Sequence, residues 1–233
     1  MGMDMDWNAV MFTASVWVLP VLFAITLHEA AHGWVAWRLG DDTARVLGRV
    51  SFNPLRHIDP FGTILLPALL LLGSGGRMMF GFAKPVPVNY SRLRKPRRDM
   101  VLVAAAGPAS NIFLAVISAL LFHVATHLDG EFQRWVVFNL INSVWINLLL
   151  AVFNMLPLPP LDGGRVAVGL LPPPLAAGLA RLERLGFLII LGALFILPWI
   201  GDKIGLDLNI FRWLIAGPAE YLMNLVLNVT GVQ

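Results

Sequence analysis

The sequence reads as an all-α polytopic membrane protein of about five transmembrane helices, carrying a short membrane-associated β-ribbon and a re-entrant segment. The first observation behind it is composition: 58% of the 233 residues are hydrophobic and 13% are charged, too apolar and charge-poor for a water-soluble domain. The second is tract length. Trp7 to Leu27, Met100 to Leu128 and Trp135 to Leu161 are uncharged, and each reaches the roughly 20 residues that a spanning helix requires. The third is where the charge sits: 11 of the 17 Lys and Arg fall between Arg38 and Arg98, which marks that region as cytoplasmic.

Taken in order, the first tract is preceded by Asp4 and Asp6 and by no Lys or Arg, so it reads as a retained helix with an extracytoplasmic N-terminus rather than a cleaved signal. Between Ala44 and Asn53, Val46, Leu47, Val50 and Phe52 are interspersed with Arg45, Gly48, Arg49 and Ser51, an imperfect alternation that predicts the β-ribbon. Phe61 to Gly76 is apolar but contains Pro67 and ends in Gly73-Ser-Gly-Gly76 with basic residues on both sides. It is expected to enter the bilayer and return to the side it left. Arg92, Arg94, Lys95, Arg97 and Arg98 then precede the Met100 helix as a topology signal suited to anionic lipid headgroups. A loop with Asp129, Glu131 and Arg134 turns the chain back, and the prolines at 157, 159 and 160 force the Trp135 helix to stop. Beyond it, the 17 residues between Arg184 and Asp202, and Trp213 to Val232 around Glu220, supply the last two expected helices. Residues 1–233 are read as one domain, with a core of about 7–165 and C-terminal helices of about 166–233.

Some classes of function are excluded at this level. There is no cysteine, so no thiol nucleophile, disulfide or thiolate ligand is available. The net charge of +3 is explained by the membrane flanks, and no nucleic-acid module accompanies it. The bilayer is the partner this composition implies.

His28-Glu29-Ala-Ala-His32 continues the first apolar tract and should be helical. Histidines four apart share one helix face and can ligate one metal, with Glu29 offset by about 100° to reach a water beside it. Zinc suits neutral imidazole, and a catalytic site needs a third protein ligand and an open position. At membrane depth each ionisable group costs several kcal/mol, so three together call for a compensating cation. Asp162 is the candidate third ligand: it is the only acidic residue between Glu131 and Glu183, and the predicted topology returns it to the side of His28. A turn is the competing reading of Asp162-Gly-Gly. His57 lies on the same side and is a candidate supporting group or substitute ligand. His123 and His127 are also four apart but have no adjacent Glu, and read as a rim pair. A proton or cation relay through His28, Glu29 and Asp162 is the alternative from another class of function, and an inactive scaffold is a third.

These residues resemble the site-2 protease family, the intramembrane metalloproteases of peptidase family M50. His28 to His32 matches the family's HExxH, and Asn154 to Gly163 matches its NxxPxPxLDG at every fixed position. Asn53-Pro-Leu-Arg-His57-Ile-Asp59-Pro, Lys84-Pro-Val-Pro-Val88 and Ala106-Gly107-Pro108-Ala-Ser-Asn111 look like stretches common in its compact bacterial members. The resemblance implies one zinc on His28, His32 and Asp162, with Glu29 as catalytic acid/base. It also implies Asn154 at the substrate, with Asn111 as a second substrate candidate, and an active site open to the cytoplasm of a bacterial inner-membrane protein.

Overall fold

The computed structural model describes residues 6–66, 68–69 and 81–232, and among them every regular element is helical. Helices α1 (Trp7–Arg38), α2 (Pro96–Ala125) and α3 (Gly130–Asn154) pack on one another, and α4 (Asp162–Leu170) lies against α2. After α5 (Pro173–Arg181) come α6 (Glu183–Ile204) and α7 (Gly217–Val229). By length and composition, α1, α2, α3 and α6 qualify as membrane spans among the described residues, four where five are expected. The chain is helical without a break over 210–229, but Arg212 and Glu220 interrupt the apolarity of that stretch, and residues 230–232 lie beyond its end.

Local chemistry accounts for the bundle. The Asp6 carboxylate accepts from the Asn8 and Ala9 amides and so starts α1. Pro20, inside α1, cannot donate to the Val16 carbonyl four residues back. Asn142 of α3 donates to that carbonyl at 2.9 Å, which satisfies a group whose exposure to hydrocarbon would cost several kcal/mol and sets α3 in register with α1. Small side chains then let the helices approach closely: Ala115 and Ala119 of α2 are fully buried against Val144 and Leu148 of α3 and Val226 of α7.

The expected β-ribbon at 44–53 is absent, and those residues form a helical turn (Thr43–Val46) followed by bends. Asp41 starts the turn by accepting from the Thr43 amide, and Gly48, at φ 65°, reverses the chain. The burial pattern is the inverse of a half-buried strand: Arg49 is buried, whereas Val46, Leu47 and Phe52 are exposed. Alternation over so few residues does not distinguish a strand from an interfacial loop. Of the expected re-entrant segment, residues 67 and 70–76 lie outside the described residues, but its flanks are tied together. The Phe82 amide donates to the Gly62 carbonyl at 3.0 Å, and the Thr63 hydroxyl donates to the Phe82 carbonyl at 2.9 Å. From there residues 81–89 run without regular structure, held by the Lys84 amide on the His57 carbonyl (2.9 Å) and the Asn89 amide on Asp41 Oδ2 (2.6 Å). We call this segment the strap.

Candidate metal centre

His28 and His32 project from one face of α1, and Asp162 is the first residue of α4. The glycines after Asp162 deliver it. A Cβ on Gly163 would lie 2.2 Å from the Met155 carbonyl oxygen, and one on Gly164 would lie 2.2 Å from the Pro159 nitrogen. Only glycine therefore lets α4 begin directly against the proline-rich loop that ends α3. In the resulting cluster His28 Nε2 and His32 Nε2 are 3.1 Å apart, and Asp162 Oδ2 is 3.1 Å from the first and 3.3 Å from the second. All three residues are buried.

The protonation of the two rings follows from what lies behind them. His32 Nδ1 is 2.7 Å from the Val103 carbonyl, a pure acceptor, so this nitrogen carries the proton and donates. His28 Nδ1 is 2.6 Å from Asn111 Oδ1, and it also donates. Both Nε2 atoms thus turn lone pairs toward each other and toward Asp162 Oδ2, a buried oxygen that no donor satisfies. Three converging lone pairs repel unless a cation lies between them. Their spacing also fits: zinc bonds of about 2.0–2.2 Å in a tetrahedron separate ligand atoms by roughly 3.3 Å. Among the described residues no fourth His, Cys, Asp or Glu joins the group, as a metal site with an open position requires.

Two neighbours complete the site. A Cβ on Gly107 of α2 would stand 2.4 Å from His32 Nε2 and 2.6 Å from His28 Nε2, so a bare glycine backbone walls the space the lone pairs face. Glu29 Oε2 accepts from the Val86 amide of the strap at 2.7 Å. Pro85 and Pro87 have no amide hydrogen, so Val86 offers the one donor of that tripeptide. Arg49 supports it from the other side by donating to the Lys84 carbonyl at 2.6 Å.

The structure therefore brings together His28, His32 and Asp162. The other expected site residues lie as follows. Asn154 ends α3, half-buried, and donates to the Leu150 carbonyl within its own helix at 3.0 Å. Asn111 is fully buried behind His28. His57 is also buried, and its Nε2 donates to the Ser51 carbonyl at 2.9 Å, which places it under the strap rather than among the three metal-facing atoms. His123 pairs with the Thr230 carbonyl at 2.8 Å. At the far side of α4, Arg165 lies 5.6 Å over the Tyr90 ring and 3.6 Å from Glu183. Burial raises the pKa of the Tyr90 phenol, and the nearby guanidinium opposes the shift. From sequence, Gly107 and Val86 stand in stretches that look like the family's but have no role assigned, and nothing points to the Val103 carbonyl, because backbone groups leave no trace in residue type.

The chain is 43% identical over 193 residues to YwhC of Bacillus subtilis (strain 168), by name a zinc metalloprotease, covering 78% of this chain and 80% of that protein. It is 32% identical over 170 residues to Rip2 of Mycolicibacterium smegmatis, also by name a zinc metalloprotease, covering 72% of this chain and 62% of that one. Over 115 residues it is 31% identical to the regulator of sigma-E protease RseP of Salmonella typhimurium, covering 48% of this chain and 24% of that protein. No solved structure matches the chain significantly. The family model described as Peptidase family M50 matches residues 16–138 and 124–192, a range that includes both histidines, Glu29 and Asp162, and the chain belongs to that family, the site-2 proteases.

Proposed function

We propose that this membrane zinc endopeptidase cleaves a membrane-embedded protein substrate near the cytoplasmic face of a bacterial inner membrane, using one zinc held by His28, His32 and Asp162. The observation that carries the reading is the convergence of three lone pairs in a buried site next to Glu29. When bound there, zinc supplies Lewis acidity, polarising a carbonyl and making water acidic near neutral pH. Glu29 then takes a proton from the water that attacks the scissile carbonyl carbon, and returns it to the nitrogen as the C–N bond breaks. The Val86 amide on Oε2 holds that carboxylate in one orientation, so little reorganisation is needed at the moment of transfer. Asn154, at the end of α3 and only half-buried, is the residue we assign to the substrate.

The sidedness rests on the basic residues between Arg38 and Arg98. It is supported by the pairing of Gly62 with Phe82, since a segment whose flanks are hydrogen-bonded to each other returns to the side it left. Residues 1–233 act as one unit in this reading, with α6 and α7 alongside the core. Glu29→Gln tests the chemistry: cleavage of a single-span substrate peptide in detergent should fall by about 10³-fold or more, while zinc content by elemental analysis stays near one per chain. Near-normal cleavage by this variant would sink the mechanism.

A further inference from the structure

A polar chain crosses the interior of the bundle behind His28. Asn111 of α2 is fully buried and Asn147 of α3 is 1% exposed. Asn147 Nδ2 lies 2.8 Å from the Ser143 carbonyl. Asn111 Nδ2 lies 2.8 Å from Asn147 Oδ1 and 3.2 Å from the Ala24 carbonyl of α1. Asn111 Oδ1 lies 2.6 Å from His28 Nδ1.

The direction of this chain is not free. A backbone carbonyl only accepts, so the Ser143 carbonyl requires Asn147 to present its amide hydrogens there and turn its oxygen toward Asn111. That oxygen, together with the Ala24 carbonyl, requires Asn111 to present its own amide hydrogens to them and turn its oxygen toward His28. His28 Nδ1 is left as the donor and Nε2 as the bare lone pair. Three helices thus cooperate to choose one tautomer of one imidazole. In the apolar interior of a bundle two carboxamides have no packing advantage over leucine, and burying them unpaired would be costly.

We propose that Asn147 is a positioning residue for metal binding: acting through Asn111, it holds His28 in the tautomer whose Nε2 can ligate. This rests on the metal reading above, and it moves Asn111 from the substrate, where the sequence put it, to a place behind a ligand. Losing such a partner of a metal-binding histidine costs about 10–100-fold in metal affinity.

The test is a double-mutant cycle read as zinc affinity, measured by chelator competition on detergent-purified full-length protein. Asn111→Leu should weaken zinc binding by about 10–100-fold. Asn147→Leu should weaken it about fivefold or more in the wild-type background and less than about twofold in the Asn111→Leu background, because its effect passes through Asn111. Asn147→Asp, which keeps an acceptor toward Asn111, should restore affinity to within about threefold of wild type. Equal factors in both backgrounds, or no loss in either single variant, would overturn the proposal. If Asn147→Leu does not fold, the smaller Asn147→Ala replaces it in the cycle, where the same pattern of losses supports the proposal and equal factors overturn it. Wild-type protein that binds no zinc would instead overturn the metal reading beneath it, so the two failures are distinguishable.

Discussion

Gly107 occupies a position where any side chain would reach into the centre, since its Cβ would stand 2.4 Å from His32 Nε2. Alanine there raises helix propensity by about 1 kcal/mol, so the helix should persist while the metal loses its place. We predict that Gly107→Ala lowers zinc content at least about tenfold while the fold persists, because the roughly 1–3 kcal/mol cost of pressing a methyl against the two imidazoles is partly offset by the gain in helix propensity. Elemental analysis and a thermal melt of the metal-free protein check it, and full zinc occupancy would show that α2 does not wall the site. Residue identity alone carried much of this centre. HExxH spacing on an apolar helix, and an acidic residue isolated in an apolar stretch, are unusual enough in a bilayer to point to a metal site. It carried little about the walls of the site, because a glycine backbone and the Val103 carbonyl act through position rather than side-chain chemistry.

At the scale of elements, the strap matters more than the ribbon that the alternation suggests. Asp41 is fully buried and accepts from the Thr43 amide at 3.1 Å and the Asn89 amide at 2.6 Å, so it fastens the strap to the end of α1. Removing it leaves two amides without their acceptor, each worth about 1–3 kcal/mol when buried. Asp41→Ala should therefore loosen the strap and free Glu29 from the Val86 amide. The expected outcome is about a tenfold fall in kcat, equivalent to roughly 1.4 kcal/mol of barrier, with zinc content unchanged because no ligand is touched. Loss of zinc, or unchanged turnover, would show that the strap does not position the carboxylate. The ribbon pattern misleads for a physical reason: Arg49 is buried because carbonyls of the strap receive its guanidinium, and no local pattern foretells a partner 35 residues away. The long spans, by contrast, are legible one by one, since an apolar run of that length has few alternatives.

For the whole molecule, the proposed topology rests on charge and on the paired flanks at Gly62 and Phe82. The chain has no native cysteine, so single cysteines at Ser51, Ser91 and Ser143 can be labelled without background. A membrane-impermeant maleimide on intact cells and inverted vesicles should reach Ser51→Cys and Ser91→Cys from the cytoplasmic side alone. Ser143→Cys, within α3 and facing Ser118, should stay protected. Labelling of the first two from opposite sides would refute a re-entrant 61–76. It would also contradict a site that joins α1 to α4, because a crossing there inverts every later helix.

Residue types and spacings are enough to place the chain in a bilayer and to point to a metal site. Apolar length marks the spans, while the basic residues carry the proposed sidedness and the His28, Glu29, His32 and Asp162 set carries the proposed metal and base. Each of these is a property of a residue type or a spacing along one helix. Tertiary packing is what turns His28 Nε2 toward His32 and Asp162, sets Gly107 against both imidazoles and puts the Val86 amide on Glu29. Those depend on groups from different helices meeting within hydrogen-bonding distance, and much of that meeting is made by backbone atoms that every residue shares.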